Sequence, residues 1–383
     1  MNTTTNRKQI SFKNNTHMRV TTDFLKNNVV FLTALSLAIL TMFIVTPDKK
    51  YLEYIDFKTM ACLFCTLAVV GALKNIYFFD YLSHKIIKFT KNLRFSILTI
   101  ICVTFIASML IANDMALLTF LPLGYLILSS TDNKKYMAFT FIMQNIAANL
   151  GGMLTPFGNP QNIFLYSKFQ ISSSDFLMTM LLPFLTSILL IFICCMFLPT
   201  TSLKVQKNFD KKMPKGKTTI YIILFILSIS IVFRTIPYIA GLLIITVSLL
   251  FLDRKAIAAI DWGILGTFIA FFIFSGNIAR IEIFNNFFTE AMIKNPLITS
   301  TALCQIISNV PSSILLSNFT NNWQDLLIGV NIGGTGTLIA SLASLITFRE
   351  YIKHNNEKTL SYIVKFTAFN LIFLLILLIV CSI

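Results

Sequence analysis

The chain has 383 residues, 56% hydrophobic and only 12% charged, about half the charged share of an ordinary soluble domain. No water-soluble core of this length buries so much apolar surface, so lipid is the solvent for much of it. The formal net charge of +15 does not mark a nucleic-acid binder. Its Lys and Arg sit in short loops between apolar runs, the positive-inside pattern of membrane proteins.

In chain order, residues 1–28 are polar and basic (Arg7, Lys8, Lys13, Arg19, Lys26) and lack the apolar core and small-residue site of a cleaved signal. They are expected to form a cytoplasmic tail. Nearly charge-free runs then occupy 29–45, 97–111, 176–198, 219–233, 238–252, 264–275 and 361–381. A bilayer span needs about 20 such residues, so several of these are candidate spans. The loop with Asp48, Glu53 and Asp56 reads as outside. The segment 74–94, with Lys85, Lys88, Lys91 and Arg94, reads as inside. There Ile76, Phe79, Leu82, Ile86, Ile87 and Phe89 recur at near-helical spacing, which predicts an amphipathic helix along the membrane surface.

The longest polar stretch, 200–217, carries six lysines and one acid, Asp210, and divides the chain. The predicted organisation is a tail (1–28), a first repeat (29–199), a cytoplasmic Lys-rich linker (200–217), and an extra span plus second repeat (218–383). Asp253-Arg254-Lys255 is placed inside and Glu282 with Glu290 outside. Arg349, Lys353, His354 and Lys358 return inside, which leaves the N-terminus cytoplasmic and the C-terminus outside. Arg234 and Arg280 fall at span ends and are expected to snorkel to the interface. The seven cysteines lie in apolar runs. Cys62-x-x-Cys65 lacks the βαβ context of a redox motif and reads as small apolar packing.

The two halves share anchors in the same order. Ile55-Asp56-Phe57 and Ile260-Asp261-Trp262 are 205 apart, as are Gly71 and Gly276. Asn149-Leu150-Gly151-Gly152 returns as Asn331-Ile332-Gly333-Gly334 at an offset of 182, and Thr155 returns as Thr337. Asn113 in Ala-Asn-Asp corresponds to Asn309 in Ser-Asn-Val. The loop charges give the copies opposite orientations, the inverted-repeat plan of secondary transporters.

Polar residues inside spans are costly, so their placement carries meaning. Ala112-Asn113-Asp114 interrupts the run 97–128, which is either a long hairpin or two spans. Ser308-Asn309-Val310-Pro311 interrupts 298–316, which is too short to cross twice and predicts a re-entrant hairpin. Such tips expose carbonyls to a cation or helix N-termini to an anion. A single Asn there serves equally well to cap or cross-link helices; two at equivalent places favour a site. Asn149 to Asn162, with Pro156, Pro160 and three glycines, cannot form an unbroken helix and predicts a span unwound in its middle. The carbonyls freed by the prolines need partners, and a bound ion can be one. The partner segment 331–344 keeps Gly, Thr and Ser without proline, so tight small-residue packing is its rival reading. Asp114 lies deep in an apolar run without a basic partner nearby in sequence. Its charged form is costly unless a cation sits beside it, as for a proton- or sodium-coupling residue.

Together these motifs resemble the ion transporter superfamily over residues 29–383. That group includes divalent anion:sodium symporters, citrate transporters, arsenite permeases and some sodium/proton antiporters. The resemblance implies an all-α polytopic fold of two inverted repeats. It also implies a scaffold that dimerises, and a moving domain of re-entrant hairpins and unwound helices that works as an elevator. It assigns substrate binding to Asn113, Ser308, Asn309, Thr155, Asn159 and Thr337. It assigns coupling-ion binding to Asp114, Asn113, Asn309 and the backbone around Gly151, Gly152, Gly333 and Gly334. The first tip is Ala-Asn-Asp, as in the arsenite permease branch, where the anion symporters carry Ser-Asn-Thr.

The leading expectation is a transporter of a small anion, a carboxylate or inorganic oxyanion, coupled to H+ or Na+ in a prokaryotic inner membrane. The alternatives are a cation/proton antiporter with Asp114 as its carboxylate, an arsenite-type efflux permease, or a channel. No cofactor or enzymatic activity is expected, and no Gly-x-x-x-x-Gly-Lys-Ser/Thr loop occurs.

Overall fold

The computed structural model describes residues 29–78, 81, 92–201 and 214–382. The basic tail, most of the predicted surface helix and most of the Lys-rich linker lie outside the described residues. Among the described residues the protein is helical, without strands.

The first half comprises α1 (Val29–Met42), the single turn α2 (Tyr51–Tyr54), α3 (Phe57–Asn75), α4 (Leu93–Ile111), α5 (Asn113–Ser130), α6 (Met137–Gly151), α7 (Pro160–Lys168) and α8 (Ser173–Met196). The second begins with α9 (Lys215–Val232), α10 (Tyr238–Leu252) and α11 (Arg254–Ala258). It continues with α12 (Trp262–Arg280), α13 (Glu282–Lys294), α14 (Pro296–Ile307), α15 (Asn309–Leu316), α16 (Trp323–Ile332), α17 (Leu342–His354) and α18 (Thr359–Ser382). Five of these, α3, α4, α8, α12 and α18, are long and apolar enough to cross a bilayer. The predicted runs fall on these helices and on α1, α9 and α10, because a continuous apolar stretch in lipid satisfies its backbone only by coiling.

Helix starts follow from local chemistry. Asp56 caps α3 by accepting from Thr59 N–H at 3.0 Å, and Asp261 caps α12 by accepting from Ile264 N–H at 3.2 Å. Asn92 and Asn295 cap α4 and α14 in the same way. Each pair occupies equivalent places in the two halves.

The helices pack as two groups. One contains α1, α3 and α9–α12; the other contains α4–α8 and α14–α18. They meet where α12 touches α15 and α3 touches α7. The start of α3 lies against the end of α12, since Tyr54 packs on Gly276 and its hydroxyl accepts from Arg280. The end of α3 lies near the start of α12, since Asn75 donates to Asp253. The two 19-residue helices are therefore antiparallel, and each is about 28 Å long. Asp56 and Asp261 thus mark opposite ends of this group.

Both span-end arginines find partners within the protein. Arg280 pairs with Asp48 at 2.9 Å, and this neighbour holds the Asp48 carboxyl below its ordinary range. Arg234 folds over the Tyr166 ring at 4.2 Å and donates to the Tyr166 carbonyl. A cation–π face and a carbonyl together hold the Arg234 guanidinium.

Asp56→Ala and Asp261→Ala should each lose about 1 kcal/mol through the missing cap. Asp→Asn at either place should stay close to wild type, because Asn caps equally well. Thermal unfolding of the purified variants in detergent checks both expectations.

Candidate functional site

Two sharp chain breaks define the region. Ala112 joins α4 to α5 at φ 65°, ψ 147°, and Ser308 joins α14 to α15 at φ 79°, ψ 159°. A side chain makes this backbone region costly, by about 1–3 kcal/mol, so the surroundings must enforce it. They do so identically. Asn113 N–H donates to Gly158 O at 3.1 Å, and Asn309 N–H donates to Ala340 O at 2.9 Å. Each Asn side-chain oxygen then accepts from the next N–H, of Asp114 or Val310, at 2.9 Å.

The partner segments are the unwound ones. After α6 the chain makes one 3-10 turn (Gly152–Leu154) and runs extended at Thr155 and Asn159 before α7 starts at Pro160. After α16 it passes Gly336 at φ 118° and resumes as α17 after Ser341 caps it. Thr155 Oγ1 donates to Met109 O at 2.6 Å, and Thr337 Oγ1 donates to Gln305 O at 3.3 Å. Close approach needs glycine at 151, where a Cβ would sit 2.4 Å from Phe105 O.

The freed carbonyls find partners within the protein, as the breaks require. Asn162 Nδ2 donates to the carbonyls of Gly152 and Thr155, each at 3.2 Å. Gln305 Nε2 does the same in the second break, donating to Gly333 O at 2.8 Å and Thr335 O at 3.2 Å. An amide network ties the breaks together. Asn331 Oδ1 accepts from Asn159 at 3.1 Å and Gln161 at 3.2 Å, while its Nδ2 donates to Asn162 Oδ1 at 2.7 Å. Asn113 Nδ2 donates to Asn149 Oδ1 at 3.0 Å. Among these buried amides, Asn149 Nδ2, Asn159 Oδ1 and Gln161 Oε1 have no hydrogen-bond partner in the protein.

The candidate residues therefore separate. Asp114, Ser308 and Asn309 line one cavity with Pro160, Asp261, Thr267 and Arg349. Asn113 and Asn159 belong to the amide network. Thr155 and Thr337 spend their hydroxyls anchoring the breaks. Gly152 and Gly334 face the amides of Asn159 and Asn309, whereas Gly151 and Gly333 pack on α4 and α14. Sequence reasoning missed Asn162, Gln305, Asn331, Asp261 and Arg349 as members of this region. Asn162 and Asn331 stood inside quoted motifs; Gln305 stood in none.

A second cavity, of about 530 Å³, also reaches Asp114 and Asp261, and is flanked by Gly71, Lys74 and Leu342. At the other end of the helix groups, a cavity of about 420 Å³ between Asp56, Lys168 and Ser275 is lined by no tip residue. There the hydrogen bonds Asn318 to Ser275 (2.7 Å) and Ser275 to Ile314 O (3.0 Å) join the two groups.

The sequence profile described as citrate transporter matches residues 20–322. The chain belongs to the citrate transporter family. An uncharacterized transporter of Methanocaldococcus jannaschii is 35% identical, over 84% of this chain and 88% of that protein. Inner membrane protein YbiR of Escherichia coli is 27% identical, over 81% and 84%. The silicon efflux transporter LSI3 of Oryza sativa is 29% identical over 40% of this chain and 32% of its own length. Membership in this family, with five span-length apolar helices, makes the protein an integral membrane transporter.

Ala112→Gly should raise the thermal midpoint by the equivalent of about 1 kcal/mol, since glycine adopts the tip conformation without the side-chain penalty. Gly151→Ala should lower it, because Phe105 O is backbone and cannot yield. Melting curves of the two variants check both signs.

Proposed function

We propose that the protein is a secondary active transporter of a small anion, a carboxylate or inorganic oxyanion, coupled to H+ or Na+ by alternating access. The observation that carries this reading is the duplication of the break. Two left-handed tips bond to two unwound segments through equivalent atoms, Asn113 with Gly158 and Asn309 with Ala340. Paired broken helices of this kind place backbone dipoles and amides at a shared site near the midplane. The second tip is re-entrant in this reading. Its helices of 12 and 8 residues rise about 18 and 12 Å, short of a hydrocarbon core of about 30 Å.

The halves 29–199 and 218–383 are then inverted repeats. The group of α1, α3 and α9–α12 is the scaffold, which also dimerises, and the group with the tips is the moving body. The antiparallel packing of α3 and α12 supports opposite orientation. Alternating access is supported by cavities that reach the tips at the Asp261 end and a cavity that does not at the Asp56 end. Arg349 beside Asn309 and Ser308 offers a bidentate donor for an oxyanion. An anion shares that space with Asp114, so loading the anion favours loading H+ or Na+ beside the carboxylate. Prokaryotic inner-membrane placement, a cytoplasmic N-terminus and an outside C-terminus complete the reading.

A second reading, a cation/proton antiporter, is favoured by the Asp114 carboxylate itself. It takes part in none of the salt bridges among the described residues.

In proteoliposomes, Asn309→Ala and Asn113→Ala should reduce anion uptake to background while insertion and monodispersity persist; normal uptake by both would refute the site. Asp114→Asn should abolish dependence of uptake on the H+ or Na+ gradient. Cation-driven pH changes without any anion requirement would favour the antiporter.

A further inference from the structure

Two carboxylates face shared cavities at the boundary between the helix groups. Asp114, at the second position of α5, belongs to the group that carries the tips. Asp261, the cap of α12, belongs to the other. Both line the cavity under the Ser308 tip and also the wider cavity beside α3. Asp114 is 8% exposed, yet its carboxylate makes no hydrogen bond to any described residue; its backbone N–H donates to the Asn113 side chain. Asp261 is exposed and spends one carboxylate oxygen, Oδ1, on its cap.

We propose that Asp114 and Asp261 together bind a monovalent cation of the Na+ class, in a site whose two carboxylates come from opposite helix groups. The donors on hand are hard oxygens: two carboxylates and the neighbouring hydroxyls of Ser308 and Thr267. That set suits an alkali cation rather than a thiol- or imidazole-seeking metal. An unpaired, nine-tenths-buried carboxylate is costly, and a cation between two acids offsets the desolvation of one and the mutual repulsion of both. Because the ligands sit on separate groups, the site is complete only in the arrangement seen here. A cation there stabilises that arrangement by its differential affinity and loses a ligand when the groups separate. This rests on the transporter reading of Asp114 and adds Asp261, on the opposite helix group, as its partner.

The test is direct binding. Purified protein at constant ionic strength in choline chloride is titrated with NaCl, KCl or LiCl while the thermal midpoint is followed. The wild type should show a saturable rise with Na+ and none with choline. Asp261→Asn and Asp261→Ser both retain a capping oxygen and remove the charge. Each should raise the half-saturating Na+ concentration about tenfold or more, and so should Asp114→Asn. Asp56→Asn, the same change at the far end of the antiparallel pair, should titrate like wild type. An unchanged Na+ titration in both Asp261 variants overturns the proposal. If Asp114→Asn alone loses the response, the coupling role of Asp114 stands and the bridging site fails. The absence of a saturable response to any of the three cations in wild type also overturns it.

Discussion

A polypeptide that breaks its helices inside a bilayer must find partners for every freed N–H and C=O, because lipid supplies none. The rest of this structure depends on how that demand is met. Side-chain amides meet it: Asn162 and Gln305 take the loose carbonyls of the two breaks, and Asn331 links the breaks to each other. A buried hydrogen bond adds only about 1 kcal/mol net, but leaving its group unpaired costs about 1–3. The amides therefore matter less as sources of stability than as conditions for an irregular backbone at this depth. Once the breaks are held, the tips can carry Ala112 and Ser308 in a conformation they would otherwise avoid.

The same constraint makes hydrogen bonding uneven across the molecule. Hydrogen bonds are dense within the tip-bearing group. Between the two groups they are sparse, with the Ser275–Asn318 and Arg234–Tyr166 contacts among those present at the Asp56 end. At the Asp261 end the groups are parted by cavities. A boundary of this kind can be remade at modest cost, whereas the network around Asn331 cannot. Charge is distributed along the same boundary. The antiparallel pair α3 and α12 each begin with an aspartate, and the cations Lys168 and Arg349 sit on the facing group near opposite ends.

Much of this was legible in the sequence. The spans follow from charge-free length, which is why the run 238–252 coincides with α10. The breaks follow from residues that a lipid-buried helix does not tolerate. Pro156, Pro160 and the paired glycines located the first, and the offset of 182 located the second without any proline. The rest was hidden for physical reasons. Gln305 lies within an apolar helix and gains its role only because the second break folds over it. Asp261 stood only in a repeat anchor; its place in the cavity beside Asp114 depends on how the two helix groups pack. Asn113 does cross-link helices, through Asn149, so the two readings of that residue were not exclusive. The partner of Arg234 was hidden because a snorkelling argument considers the lipid boundary and not an aromatic neighbour 68 residues earlier.

The bond set around Asn331 has a consequence for synthesis. Asn159, Gln161 and Asn162 leave the ribosome about 170 residues before the amide that pairs with them. At about 5–20 residues per second that interval is roughly ten to thirty seconds. During it the nascent first half already closes its own break, through Asn162 Nδ2 on the Gly152 and Thr155 carbonyls, but Asn159, Gln161 and the Asn162 oxygen still lack the amide that ties them to the second half. Those groups must wait in the translocation machinery, near the water interface, or against a provisional neighbour. Insertion of the first half is then completed only when the second half arrives, and the chain is assembled as a pair rather than in series.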